Sequence, residues 1–133
     1  MIVLDNDTAV KILREGDAAV TSHLRQYSSE TWAIPSLVAF EFFQHYDELA
    51  IVAQTQQRLH DVFDEILPLT DDVAVEAWRI NDRLLSQGIG LDKLDLLHLA
   101  TASEAGGTFV THNSSDFDKT PVHQLTDIDV IVA

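Results

Sequence analysis

Short unbroken apolar runs alternate along this chain with longer stretches of helical period. Ile2 to Leu4 is such a run, ends at Asp5, and has the character of a buried parallel strand. Asp7-Thr8 then offers capping side chains for a helix to about Arg14, closed by Gly16, and Asp17 offers a cap for a second helix to about Tyr27. Thr31 to Ile34 reads as a second strand ending at Pro35-Ser36. Ser36 is placed to cap a third helix, with Leu37, Phe40 and Phe43 at helical spacing. Asp47 to about Asp64 predicts an amphipathic helix with Leu49, Val52, Leu59 and Phe63 inward. Glu65 to Leu69 follows as a strand that Pro68, lacking an N–H, confines to an edge or a strand end. Thr70 or Asp71 starts a strongly periodic helix with Val73, Ala77, Ile80 and Leu84 as its stripe, and Gly88 stops it. The next helix, with Asp95 at its front, is apolar nearly all round and therefore central. It stops at Gly106-Gly107, before strands at Thr108 to Thr111 and Ile128 to Val132.

Strands alternating with helices imply the α/β class, here a three-layer α/β/α sandwich around a central parallel sheet. Residues 1–133 make one domain, and 46% hydrophobic content suffices for a core of its own. The longest apolar stretch, Ile34 to Phe43, is broken by Pro35, Ser36 and Glu41, so no transmembrane helix is expected. MIVLDND has neither the basic start nor the apolar length of a signal peptide, and the expected location is cytoplasmic. With no cysteine, disulfides and thiolate metal sites are excluded.

Four acids stand out by position. Asp5 sits at the mouth of the first strand, although the same place suits a helix cap. Glu41 lies among Phe40, Phe42 and Phe43, where a charge is rarely buried without a partner. Asp95, with Asp92 before it, matches an N-cap and an acid at N3, yet the helix behind it is central to the fold. Asp116 follows the Thr108–Thr111 strand in NSSDF, where an Asx-turn is the ordinary alternative. In parallel sheets ligands bind beyond the carboxyl ends of the strands, where Asp5 and Asp116 fall. Carboxylates about 5 Å apart repel by about 3 kcal/mol per pair at an effective dielectric of about 20. Such a cluster takes up protons or recruits a cation, and hard oxygen donors select Mg²⁺ or Mn²⁺. These residues therefore read as the metal ligands of a nuclease, with Thr111 and Asn113 as candidates to hold substrate or water. His98 and His112 lie near them, with structural roles the more frequent reading. No histidine pair has the helical spacing of a zinc site.

The motifs in this order resemble the PIN-domain ribonucleases, especially the VapC-type toxins of prokaryotic toxin–antitoxin pairs. IVLDNDTAVKILREG resembles that family's first acidic segment, with Asp5 as its acid, and IPSLVAFEFF the second, with Glu41. GIGLDKLDLLHLATA is similar to the third, with Asp95, and TFVTHNSSDF to the last, with Asp116, Thr111 and Asn113 also matching. The resemblance implies a Mg²⁺- or Mn²⁺-dependent endoribonuclease acting on tRNA or ribosomal RNA. It also implies a homodimer and a cognate antitoxin that blocks the active site. Asp7 departs from the family's usual small polar residue, and its role stays open.

Charge complicates this picture. Eight Lys and Arg against 22 Asp and Glu give a net charge of −14, whereas nucleic-acid enzymes normally present basic faces. Arg14, Lys11 and Lys93 are the nearest basic candidates to the acidic motifs. A high-salt source would account for the imbalance, because at about 1 M ionic strength the Debye length is about 3 Å. Two other classes fit part of the pattern. Asp5-Asn6-Asp7-Thr8 is similar to the DxDxT motif of haloacid-dehalogenase phosphatases, with Asp5 as nucleophile and Ser36 as the second motif. A non-catalytic acidic binding domain is the other.

Overall fold

The computed structural model describes residues 1–132. Five strands, β1 (Ile2–Leu4), β2 (Trp32–Pro35), β3 (Glu65–Leu67), β4 (Thr108–Thr111) and β5 (Ile128–Val130), form one sheet. They are ordered β3-β2-β1-β4-β5, and every neighbouring pair is parallel, as the strand-helix alternation requires. β1 is central, with Val3 beside Ala33 on one flank and Phe109 on the other. The chain first builds outward from β1 to β3, then crosses back and builds outward again from β4. The direction of winding thus reverses between β1 and β4, and a crevice opens at such a reversal.

The helices are α1 (Asn6–Val10), which runs on as a π-helical turn over Lys11–Glu15, then α2 (Ala18–Leu24), α3 (Ser36–Phe43) and α4 (Leu49–Val62). They continue with α5 (Asp71–Ser86), α6 (Lys93–Glu104), α7 (Ser114–Phe117) and α8 (Thr120–Leu125). Successive residues of β1 face opposite ways. Ile2 and Leu4 join Val20, Leu24, Val38, Phe42 and Leu59 in one core, beneath α1 to α4. Val3 joins Val73, Ile80, Leu84, Leu99 and Phe117 in the other, beneath α5 to α8. Both cores and the sheet between them make the expected three layers.

Several local expectations are corrected. The first helix is capped by Asp5, not Asp7-Thr8: Asp5 Oδ1 accepts from the Thr8 N–H at 2.9 Å, which leaves Asp7 in the first turn. Ser36 is the first residue of α3 and not its cap; Pro35 holds that position without a side-chain bond. The inward face of α3 is Val38, Ala39 and Phe42, while Phe40 is 52% exposed. The fourth helix starts at Leu49 and not Asp47, and Leu49 lies outward at 83% exposure. Residues between β4 and β5 form α7 and α8, although their four and six residues are too few to display a helical period.

At the far edge, Asp129 of β5 accepts from the Tyr27 hydroxyl and stands 2.8 Å from His23 Nε2, which ties the edge strand to α2 and the turn behind it. Among the described residues no helix is long and apolar enough to cross a membrane.

Candidate active site

Asp5 occupies the reversal point itself. It is 5% exposed, and both of its oxygens are engaged. Oδ1 accepts from Thr8 N as the cap of α1, and Oδ2 accepts from the hydroxyl of Thr111, the last residue of β4. Thr8 and Thr111 are fully buried and link the two strand ends a second time, because Thr8 Oγ1 accepts from His112 N at 3.1 Å. Burial raises the Asp5 carboxyl above its usual range, against the pull of the bonds from Thr111 and Thr8. Thr8 has a larger part here than its sequence signal, a helix start, disclosed.

Asp116 comes to the same end of the sheet through β4. Thr111 Oγ1 accepts from Asn113 N at 3.0 Å, and Asn113 caps α7 by accepting from Asp116 N at 3.3 Å. Asn113 Nδ2 donates to Asp116 Oδ2 at 2.7 Å and so sets the direction of that carboxylate. Thr111 and Asn113 are thus partners of the acids: Thr111 holds Asp5, and Asn113 holds Asp116.

Asp95 approaches from the other side, in the first turn of α6 behind its cap Asp92, whose side chain accepts from Leu94 N at 3.2 Å. α6 runs back to β4, so its N-terminus lies at the carboxyl ends of the strands. Partial burial pushes the Asp95 carboxyl up to about 6, and the charges of Asp116, Asp92 and Asp5 add to the rise. No hydrogen bond opposes it, and only the neighbouring His98 pulls the other way.

Glu41, half-buried on α3, bonds through Oε1 to His98 Nε2, one turn beyond Asp95 on α6. Pairing with the second acid was not apparent from the sequence, which marked His98 only as lying near the acids. Two buried polar atoms have no partner among the described residues, Asn6 Oδ1 beside Asp5 and His98 Nδ1.

Two of the three basic candidates are occupied. Lys11 Nζ lies 3.7 Å from Asp7 Oδ1, and His112 Nδ1 stands 4.0 Å from Asp7 Oδ2. Arg14 lies over the rings of Phe42 and Tyr46 at 5.0 and 5.3 Å and donates to the Tyr46 hydroxyl at 3.0 Å. Lys93 is exposed at the head of α6.

The donor set fits a hard divalent cation. It consists of carboxylate oxygens, and Asp5 and Asp95 are both raised by burial and by neighbouring acids. The acids are neighbours and not a closed cage: among the described residues no three acid or histidine side chains are grouped to hold one ion. Magnesium tolerates such a setting, since it keeps several waters and takes only one or two carboxylates directly.

Among known families, the description of the PIN domain matches residues 2–122. The chain belongs to the PIN domain family. Membership sets aside the haloacid-dehalogenase alternative, and Asp7 fits that outcome by turning to Lys11 and His112. No curated protein sequence matches the chain significantly. Solved structures share the PIN fold. A chain of VapBC2 from Rickettsia felis, bound to a promoter DNA fragment, superimposes with a TM-score of 0.77 at 18% identity, over 98% of each chain. A chain of FitAcB from Neisseria gonorrhoeae gives 0.74 at 20% identity, over 99% of this chain and 97% of that one. A chain of DNA-bound VapBC from Salmonella typhimurium gives 0.74 at 18%, over 98% of each.

Proposed function

We propose that this PIN domain is a Mg²⁺- or Mn²⁺-dependent endoribonuclease and the toxin of a toxin–antitoxin pair. The observation that carries the reading is the convergence of Asp5, Asp95 and Asp116 at the reversal point between β1 and β4, close enough that each raises the Asp95 carboxyl or is raised beside it. From the set Asp5, Glu41, Asp95 and Asp116, one or two carboxylates would hold the cation directly and the others through its waters. The cation when bound would lower the pKa of a water and steady charge on the phosphorus. The chain's own part is orientation. Thr8 and Thr111 fix Asp5, Asn113 fixes Asp116, and the crevice keeps Asp95 partly out of water. At neutral pH Asp95 is mostly ionised and available to a metal.

The VapBC and FitAcB assemblies support a cognate antitoxin as partner. RNA of the tRNA or ribosomal class, a homodimeric state and a cytoplasmic location belong to the same proposal. Purified chain incubated with tRNA and ribosomal RNA is expected to cut one of them with Mg²⁺ or Mn²⁺ and to stop when EDTA is added. Co-expression with the product of a small neighbouring open reading frame is expected to suppress cleavage. If Mn²⁺ does not bind, and Asp95→Asn cleaves as well as the wild type, the acids merely reflect composition and the acidic binding domain is the better reading.

A further inference from the structure

A helix lined by Leu96, Leu97, Leu99 and Ala100 has an apolar setting, yet it places a histidine at position 98 with 2% exposure. Burying an imidazole costs free energy unless its nitrogens are bonded. Here one nitrogen is left without a partner, since Nδ1 is buried and unbonded among the described residues. Nε2 is therefore the ring's one polar tether, and it goes to Glu41, 57 positions away in sequence. A histidine kept only to bridge two helices could be replaced by an apolar contact at little cost. The retained polar bond points to the carboxylate as the object being held.

We propose that His98 is the positioning residue of the acidic site: its Nε2 holds Glu41 through Oε1 on the α6 face that also carries Asp95, and leaves Oε2 for a divalent cation. Three residues apart, Asp95 and His98 share one side of α6. Glu41 belongs to α3, in the opposite helical layer. Without the tether its side chain, 20% exposed beside the outward Phe40, regains rotamer freedom. The bond removes that freedom before a metal arrives, the task that partners of metal-ligating carboxylates perform. This inference rests on the metal-nuclease reading above.

The test compares the full chain with His98→Leu, His98→Asn and His98→Gln in Mn²⁺ titrations followed by electron paramagnetic resonance, with thermal melts alongside. A glutamine amide nitrogen falls where Nε2 lies, whereas that of asparagine falls near Nδ1 and does not reach Glu41. Leu and Asn are expected to weaken Mn²⁺ binding by about 10–100-fold, the usual effect of losing such a partner. Gln is expected to keep most of the affinity. In a Glu41→Gln background His98→Leu is expected to cost little more, because both changes break one unit. Should the Leu variant not fold, the Asn and Gln pair decides. Leu or Asn binding Mn²⁺ like the wild type, even if it melts lower, makes His98 purely structural and overturns the proposal. Gln binding as weakly as Asn overturns it too. A wild-type chain that takes up no Mn²⁺ removes the metal reading and this inference together, and is distinguished by that first titration alone.

Discussion

Asp5 and Asp95 reach the same crevice by opposite means. Asp5 leaves a strand, is buried, and has both oxygens occupied by donors from two separate chain segments. Asp95 leaves the first turn of a helix, is half-buried, and is raised first by that burial and then by other carboxylates, with no hydrogen bond and only the neighbouring His98 to draw it back. One acid is built into the scaffold; the other carries the cost of partial burial and of repulsion from the group, which His98 only partly offsets. That division suits a site awaiting a cation, because the strained member gains most when positive charge arrives.

The widest gap between the two should be seen on replacing the strained one. Asp95→Asn is expected to lower RNA cleavage by more than the roughly 10–100-fold that loss of an outer-shell partner costs. It should at the same time raise the melting temperature of the metal-free chain. Measured single-turnover rates close to wild type would mean that Asp95 has no part in the chemistry.

Next comes the cation itself. Mn²⁺ at about 100 times its dissociation constant is expected to stabilise the wild type by about 2.7 kcal/mol, and Asp95→Asn by much less. Equal shifts for both chains in a calorimetric melt would place the ion elsewhere.

Thr111→Val attacks the scaffold acid. It deprives Asp5 of a donor and Asn113 N of its acceptor, and about 1–3 kcal/mol of stability is expected to go. Thr111→Ser keeps the hydroxyl and should restore most of it. Indistinguishable urea midpoints for Val and Ser would show that the Asp5–Thr111 bond contributes nothing.

Acidity tests the strained acid without mutation. Its folded value is about 6 against an ordinary 3.8, so at neutral pH the metal-free fold carries the full cost of the charge. As pH falls through about 6 the folded chain takes up the proton first and this cost is relieved, until the unfolded chain also protonates near 3.8. Asp5 shifts in the same direction. The relief is about 1–2 kcal/mol once partial exposure is allowed for. Melts between pH 7 and pH 5 should show a gain for the wild type that Asp95→Asn flattens; parallel profiles would refute the shift.

The smallest effect belongs to Asp7, whose contacts of 3.7 and 4.0 Å are half-exposed. Asp7→Asn is expected to change stability by less than about 1 kcal/mol. A large loss of Mn²⁺ affinity would instead make Asp7 a further ligand.

The inner strands were legible because each is a compact, largely apolar run flanked by turn residues, and their parallel order followed from the helices between them. Asp5 was legible for the same reason, as the first charge after Ile2 to Leu4. Cap assignment around it stayed open, since Asp5, Asp7 and Thr8 all have suitable side chains and only the fold, with the Thr8 N–H on Asp5, singles out the first. α7 escaped notice because local capping by Asn113 makes it, not periodicity, and α8, opened by Pro121 without a side-chain cap, is too short to show a period. The inward face of α3 was misjudged because Phe40 and Phe42 have equal hydrophobicity, and packing alone selects between them. The Glu41–His98 pairing joins distant segments from two layers, and no window along one chain contains both.

Asp129, fastened to Tyr27 and His23 on the outermost strand, has a consequence for how molecules meet. A foreign strand annealing along β5 would shut a carboxylate still 25% exposed away from solvent, and β3, at the opposite border, runs into Pro68 with no amide hydrogen to offer. Growth into fibrils by sheet extension is thereby discouraged at both margins, and association with other chains is directed to the helical faces.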